Sequence, residues 1–339
     1  MYLMDRTRAL KKMLLLSLGL VSIMAAGCVT QSQASNALEP TVTSAPAPVL
    51  PTVFVETASA TPPTSTNAPS AIPPIATATP PKKAVLSECG KIEEPGEYSL
   101  DTDLTSAGAD QCLLVSADNA ALDCRGHSIS SNHKGTGIQI TNSNNVTVVN
   151  CIISKFYYAV KLENSEGVQV SDNTLKGTYH GIWLSDTNSS EIIGNSIGNF
   201  TSGYAMHLNN SHGNRIALNN LGVAKYSALL LDSNGNFFAN NSMYQSLNGA
   251  VYASNSQNNT FQYNNMSASP KLESRHEAVF LISSPGNSFF GNDMCSPGLG
   301  INCVKGAATD AGGNACLAQS GCGMTCLACP EDFQSKTQP

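Results

Sequence analysis

Beyond Cys112 the chain repeats itself at intervals of 22 to 28 residues, and no other feature narrows its fold as far. A small residue followed by an apolar one recurs as Gly137-Ile138, Ala159-Val160, Gly181-Ile182, Ala205-Met206, Ala228-Leu229, Ala250-Val251 and Ala278-Val279, in steps of 22, 22, 24, 23, 22 and 28. A second marker keeps time with the first. Asn173, Asn195, Asn219, Asn241, Asn264 and Asn292 each stand two residues before an apolar side chain: Leu175, Ile197, Leu221, Met243, Met266 and Met294. Within a repeat the apolar residues alternate, as in Ile138-Gln139-Ile140 and Val160-Lys161-Leu162, which is the period of a strand and not of a helix. Leucine-rich repeats are excluded by the lack of Leu at their fixed positions, and helical repeats by the lack of 3.6 periodicity.

Short strands broken by Asn, Gly and Ser, about 22 residues to a turn, predict an all-β chain: a right-handed, single-stranded parallel β-helix of about eight coils. Each coil then pairs with the next at ~4.8 Å, so equivalent positions stack into ladders along the axis. Asparagine suits such a ladder because its amide hydrogen-bonds to identical neighbours and because it tolerates left-handed turns. Cys124 and Cys151 fall in the same slot two coils and one coil before Asn173, close enough for a disulfide, which leaves Cys89 and Cys112 to pair across the N-terminal cap.

The run Cys112-Leu113-Leu114-Val115, then Ala121-Leu122-Asp123-Cys124-Arg125-Gly126-His127-Ser128-Ile129, then Asn144-Asn145-Val146-Thr147-Val148-Val149-Asn150-Cys151, resembles the opening of right-handed β-helix proteins of the NosD-like, carbohydrate-binding and sugar-hydrolase (pectin-lyase-like) class. The resemblance covers about Leu86 to Met294. It implies the fold. It does not select a function, since that class includes glycan-active enzymes, a copper-loading accessory protein and surface proteins.

The ends of the chain differ in kind. Residues 1–27 have the plan of a signal peptide, with Arg6, Arg8, Lys11 and Lys12 ahead of the apolar run Met13 to Met24. Ala25-Ala26-Gly27-Cys28 is similar to the bacterial lipobox, which implies that Cys28 is lipidated and that the rest of the chain is exported, anchored to a membrane and facing the periplasm or cell exterior. Residues 28–84, mostly Pro, Thr, Ser and Ala, read as a disordered tether ahead of a β-helix over 85–294. Residues 295–339 read as a separate Cys-rich cap. Outside the cytoplasm its Cys295, Cys303, Cys316, Cys322, Cys326 and Cys329 are expected to form three disulfides of undetermined connectivity. A soft-metal site in which Met324 joins these sulfurs is the alternative.

Charged residues are only 12% of the chain and the formal net charge is −6, so nucleic acid is not an expected partner. No cofactor motif is present. The outward position between the two core residues of each first strand gives the stripe Gln139, Lys161, Trp183, His207, Leu230, Tyr252 and Phe280, preceded by Tyr157, Tyr158, Tyr179, His180, Tyr204 and Tyr226. Aromatic rings at one rung per coil offer a surface on which sugar rings stack, so polysaccharide or another surface glycan is the expected partner, bound without catalysis. Lys161, Glu163, Asp186 and His207 are the candidate residues for a polysaccharide lyase or glycoside hydrolase acting on a uronate-type glycan. That pattern is thin beside the sugar hydrolases: Asn173-Thr174-Leu175 lacks the acid of an Asn-Thr-Asp motif, and Tyr179-His180-Gly181 half matches Gly-His-Gly. A metal-handling (copper) accessory lipoprotein using the C-terminal cysteines is the third reading.

Overall fold

A computed structural model describes residues 82–108, 110–198, 203–244, 246–267 and 277–330. The signal peptide, Cys28, nearly all of the 28–84 tether and most of the Ser269 to Glu277 insertion lie outside the described residues. Among the described residues the chain is all strand and turn, wound as a parallel β-solenoid of about nine turns. One coil runs through the long strand Tyr158–Glu163, then Gln169–Ser171, then Thr174–Lys176, before the next long strand His180–Ser185 begins. Each strand pairs in parallel with its equivalent in the next coil, which gives two sheets of eleven strands and one of six. The six-stranded sheet ends at Leu221, and from there single bridges such as Ser242 to Asn265 carry the third side.

Alternation decides what fills the interior. Ile140, Leu162, Leu184, Leu208 and Leu230 form one fully buried column of the long-strand sheet, and Phe238, Phe261 and Phe289 stack in another at 5.0 and 4.8 Å. The corner that carries the asparagine ladder is turned by one residue in the left-handed region. Asp172, Gly194, Leu218, Asn240, Tyr263 and Gly291 take that conformation immediately before the ladder asparagines. The asparagines themselves do not adopt it, contrary to the sequence expectation. The residue before each one takes the turn instead, and the asparagine that follows is buried inside the corner.

Inside, each ladder asparagine does three jobs. Asn195 Oδ1 accepts both the backbone N–H and the Nδ2 of Asn173, each at 3.0 Å, while Asn195 Nδ2 donates to Asn219 Oδ1 and to the carbonyl of Val170. The pattern continues without a break to Asn314. A second asparagine ladder, Asn214, Asn236, Asn259 and Asn287, and a serine ladder, Ser211, Ser233, Ser256 and Ser284, line the other corner in the same way. Cys151 occupies the first ladder's slot, its N–H donating to Asn173 Oδ1, and is bonded to Cys124 with Cα atoms 4.8 Å apart.

The solenoid does not stop at Met294. Strands Ile301–Val304, Thr309–Asp310 and Gln319–Ser320 add further rungs, so the Cys-rich segment continues the helix and is not a separate unit. Three disulfides fasten these last turns: Cys295–Cys329, Cys303–Cys322 and Cys316–Cys326. Cys89–Cys112 holds the first turn.

Truncating one ladder residue orphans donors in the coil before it. Asn219→Ala should lower the unfolding free energy by about 2–4 kcal/mol, whereas Asn220→Ala, one residue on and exposed, should change it by less than about 0.5 kcal/mol. The denaturant midpoints of the two variants check this.

Candidate functional site

The parallel register turns the outward residues of the long-strand sheet into three columns. The first holds Tyr158, His180, Tyr204 and Tyr226, which open successive strands and stack at 5.2, 5.3 and 6.3 Å between ring centroids. The second runs Gln139, Lys161, Trp183, His207, Leu229, Tyr252, Phe280 and Asn302. The third runs Thr141, Glu163, Ser185, Asn209, Leu231, Ser254 and Ile282.

One expected member of the stripe is misplaced. Leu230 is fully buried in the core column, and Leu229 takes the outward position between His207 and Tyr252. Three apolar residues in a row, Leu229 to Leu231, hide the alternation, and the pairing of Tyr204 with Tyr226 and Leu208 with Leu230 sets the register. The repeat steps around this coil are accordingly 22 and 23, with Ser227 in the small-residue slot.

The first two columns touch across the face: Tyr158 to Trp183 at 5.2 Å, Tyr204 to His207 at 5.6 Å and Tyr226 to Tyr252 at 5.4 Å. Tyr252 and Phe280 continue the second column at 5.7 Å. Such tilted and offset pairs are the arrangements aromatic quadrupoles favour. Tyr179 lies outside the columns, 41% exposed and stacked on Tyr157 at 4.8 Å.

Two imidazoles are embedded in this face. His180 accepts the N–H of Tyr204 at its Nδ1, 3.3 Å away. Neither ring nitrogen of His207 has a hydrogen-bond partner among the described residues, and the ring meets Trp183 nearly perpendicular with centroids 3.8 Å apart. Burial lowers both pKa values to about 4, with the nearby His180 adding to the effect at His207. Both rings are therefore neutral at pH 7.

The four residues expected to carry catalysis are not assembled into a centre. Glu163 is held by Lys161 Nζ at 2.7 Å and by Gln139 Nε2 at 2.7 Å, while Lys161 lies over the Tyr158 ring. Asp186 sits at a corner in the left-handed region, accepting from Asn210 Nδ2 at 2.6 Å and Ser185 Oγ at 3.0 Å. Among the described residues no hydrogen bond joins Glu163, Asp186 and His207. The third column, with Ser185, Asn209 and Ser254, was not singled out from the sequence, although its strict one-residue offset from Leu184, Leu208 and Ala253 made it legible.

A family model described as periplasmic copper-binding protein (NosD) matches residues 118–297, just over half of the chain. No curated protein matches the sequence. Among solved structures, DFA-IIIase from Arthrobacter chlorophenolicus A6 without its lid is similar with a TM-score of 0.52 at 14% identity, covering 69% of this chain and 71% of that one. The A-module of a mannuronan C-5 epimerase from Azotobacter vinelandii aligns with a TM-score of 0.52 at 9% identity, over 74% and 88%. The Dettilon tailspike protein gives 0.50 at 11%, over 70% of this chain and 60% of its own length. At these identities the likeness is one of fold.

The copper in the family's description can be tested against the donors present. All ten described cysteines are in disulfides, which removes the soft ligand set that Cys322, Cys326 and Cys329 with Met324 would have supplied. Met243, Met266 and Met294 are sealed in the core, and no group of three His, Cys, Asp or Glu lies together among the described residues. The described donors do not fit a copper centre.

The buried imidazoles do predict a pH dependence. An unfolded histidine takes its proton near pH 6.5, whereas His180 and His207 in the folded chain resist it until about 4, so stability is full above pH 6.5 and falls as pH drops toward 4. Each ring contributes a slope of about 1.4 kcal/mol per pH unit in that window. Chemical denaturation at intervals between these limits should show the slope, and His207→Phe should remove about half of it. With one family model spanning residues 118–297 and a parallel β-solenoid throughout that span, the chain belongs to the NosD family, described as periplasmic copper-binding protein.

Proposed function

We propose that this chain is an extracytoplasmic protein, tethered to a membrane through lipidated Cys28, whose long-strand face binds polysaccharide without transforming it. The carrying observation is the pair of aromatic-rich columns on one sheet, the first from Tyr158 to Tyr226 and the second from Trp183 to Phe280 with Leu229 between His207 and Tyr252. Their tyrosine, tryptophan and phenylalanine rings are half-buried around the buried His180 and His207, fixed by mutual contact, and the rungs repeat at ~4.8 Å, close to the repeat of a sugar chain. Ordered aromatic surface of this kind binds with little loss of side-chain entropy. The location is supported by the family's periplasmic description and by five disulfides, which persist only where thiols oxidise.

Binding is favoured over hydrolysis or elimination because each candidate carboxylate is engaged structurally, Glu163 in an ion pair and Asp186 in a corner. Copper handling by the C-terminal cysteines would require free thiolates, and all ten described cysteines are in disulfides.

Pull-down on a panel of insoluble polysaccharides tests the reading. At least one polymer should retain the protein, and Trp183→Ala combined with Tyr252→Ala should weaken retention at least about tenfold, equivalent to ~1.4 kcal/mol. Retention by none, or retention untouched by the double substitution, contradicts it.

A further inference from the structure

The outward columns also carry a charge pattern that bears on which glycan fits; this inference rests on the glycan-binding reading above. From the Trp183 rung to the Phe280 rung, no position in the second or third column is charged: Trp183, His207, Leu229, Tyr252 and Phe280 stand beside Ser185, Asn209, Leu231, Ser254 and Ile282. The first column adds Tyr204 and Tyr226. The two imidazoles on this face are neutral at pH 7 through burial and supply no cation. Lys161 is neutralised by Glu163 at the near end of the face. Lys225 lies over Tyr204 at 5.9 Å, and Tyr226, whose pKa is raised chiefly by burial, also feels Glu277, so among the described residues these put one charge of each sign on the flank.

We propose that this face takes an uncharged, linear glycan laid along the solenoid axis, its rings on the aromatic columns and its hydroxyls on Ser185, Asn209 and Ser254. A uronate chain placed there would lose water from one carboxylate per sugar, and from the Trp183 rung to the Phe280 rung only the flanking Lys225 among the described residues could offset those charges, which is unfavourable. A neutral sugar loses only hydroxyl hydration, and the polar column can replace it. The six rungs from Tyr158 to Phe280 span about 24 Å at ~4.8 Å per step. The axis direction follows because the columns run along it, whereas across the face they are only two aromatic rings wide.

Calorimetric titration of the full chain with two sets of oligomers separates the alternatives: β-1,4-linked glucose oligomers and α-1,4-linked galacturonate oligomers, each of about two to eight units. Affinity for the glucose series should rise with length and level off at about five or six units, with little change on adding salt. The galacturonate series should bind at least about tenfold more weakly. Ser254→Lys, at an outward position, should narrow that gap in a salt-sensitive manner. Equal or tighter binding of galacturonate oligomers overturns the neutral preference while leaving glycan binding intact. Affinity independent of length overturns the axial placement. If neither series binds and no neutral polymer retains the protein, the underlying glycan-binding reading fails instead.

Discussion

Everything in this structure depends on a hydrogen bond that a parallel solenoid must make at its corners. Between strands the backbone leaves the sheet ladder, and at the inner side of a corner its N–H groups have no water to turn to. Asparagine solves this with one side chain, because its Oδ1 accepts two donors from the coil before while its Nδ2 reaches onward and back. The ladder therefore fixes each coil to its neighbours at one vertical step. Every outward column inherits that step, including the aromatic ones. The spacing of the functional face is a consequence of the corner chemistry.

A stack of this kind has two open ends, and sheet edges recruit other strands unless they are closed. Here closure is covalent and electrostatic. Beyond Met294, Asp310 accepts from the N–H of Thr325 with one oxygen and from the N–H of Gly312 and the Nδ2 of Asn314 with the other, which holds its carboxyl below the usual range. Three disulfides then bind the final turns to that clamp. The same bonds that close the end take up the sulfurs, so structural closure and soft-metal ligation compete for one set of residues.

The fold was legible because a ladder needs the same residue at the same place in each coil. Asn173 to Asn292 announced both the period and the interior hydrogen bonding. What misled was local: Ser227 to Leu231 offers more apolar residues than the alternation can use, and only pairing with Tyr204 and Leu208 assigns Leu230 to the core. The left-handed residues escaped notice because Leu218 and Tyr263 are not types that favour that conformation, and inter-coil pairing imposes it. The face was half legible. Its aromatic residues stand out in sequence, but the neutrality of His180 and His207 comes from burial, which no sequence pattern announces. The pairing of Lys161 with Glu163 and the capture of Asp186 by Asn210 likewise turn residues with catalytic potential into structural ones.

The chain contains a single tryptophan, Trp183, and it lies in this face between Tyr158, His180 and His207. Its fluorescence therefore reports on that face alone. Titrating the protein with a neutral linear oligosaccharide of about six units, matched to the ~24 Å face, should shift the emission saturably, with the change lost on adding an excess of a retaining polysaccharide in solid form. An emission spectrum that stays constant while the same oligosaccharide demonstrably binds would place the ligand elsewhere and contradict the account.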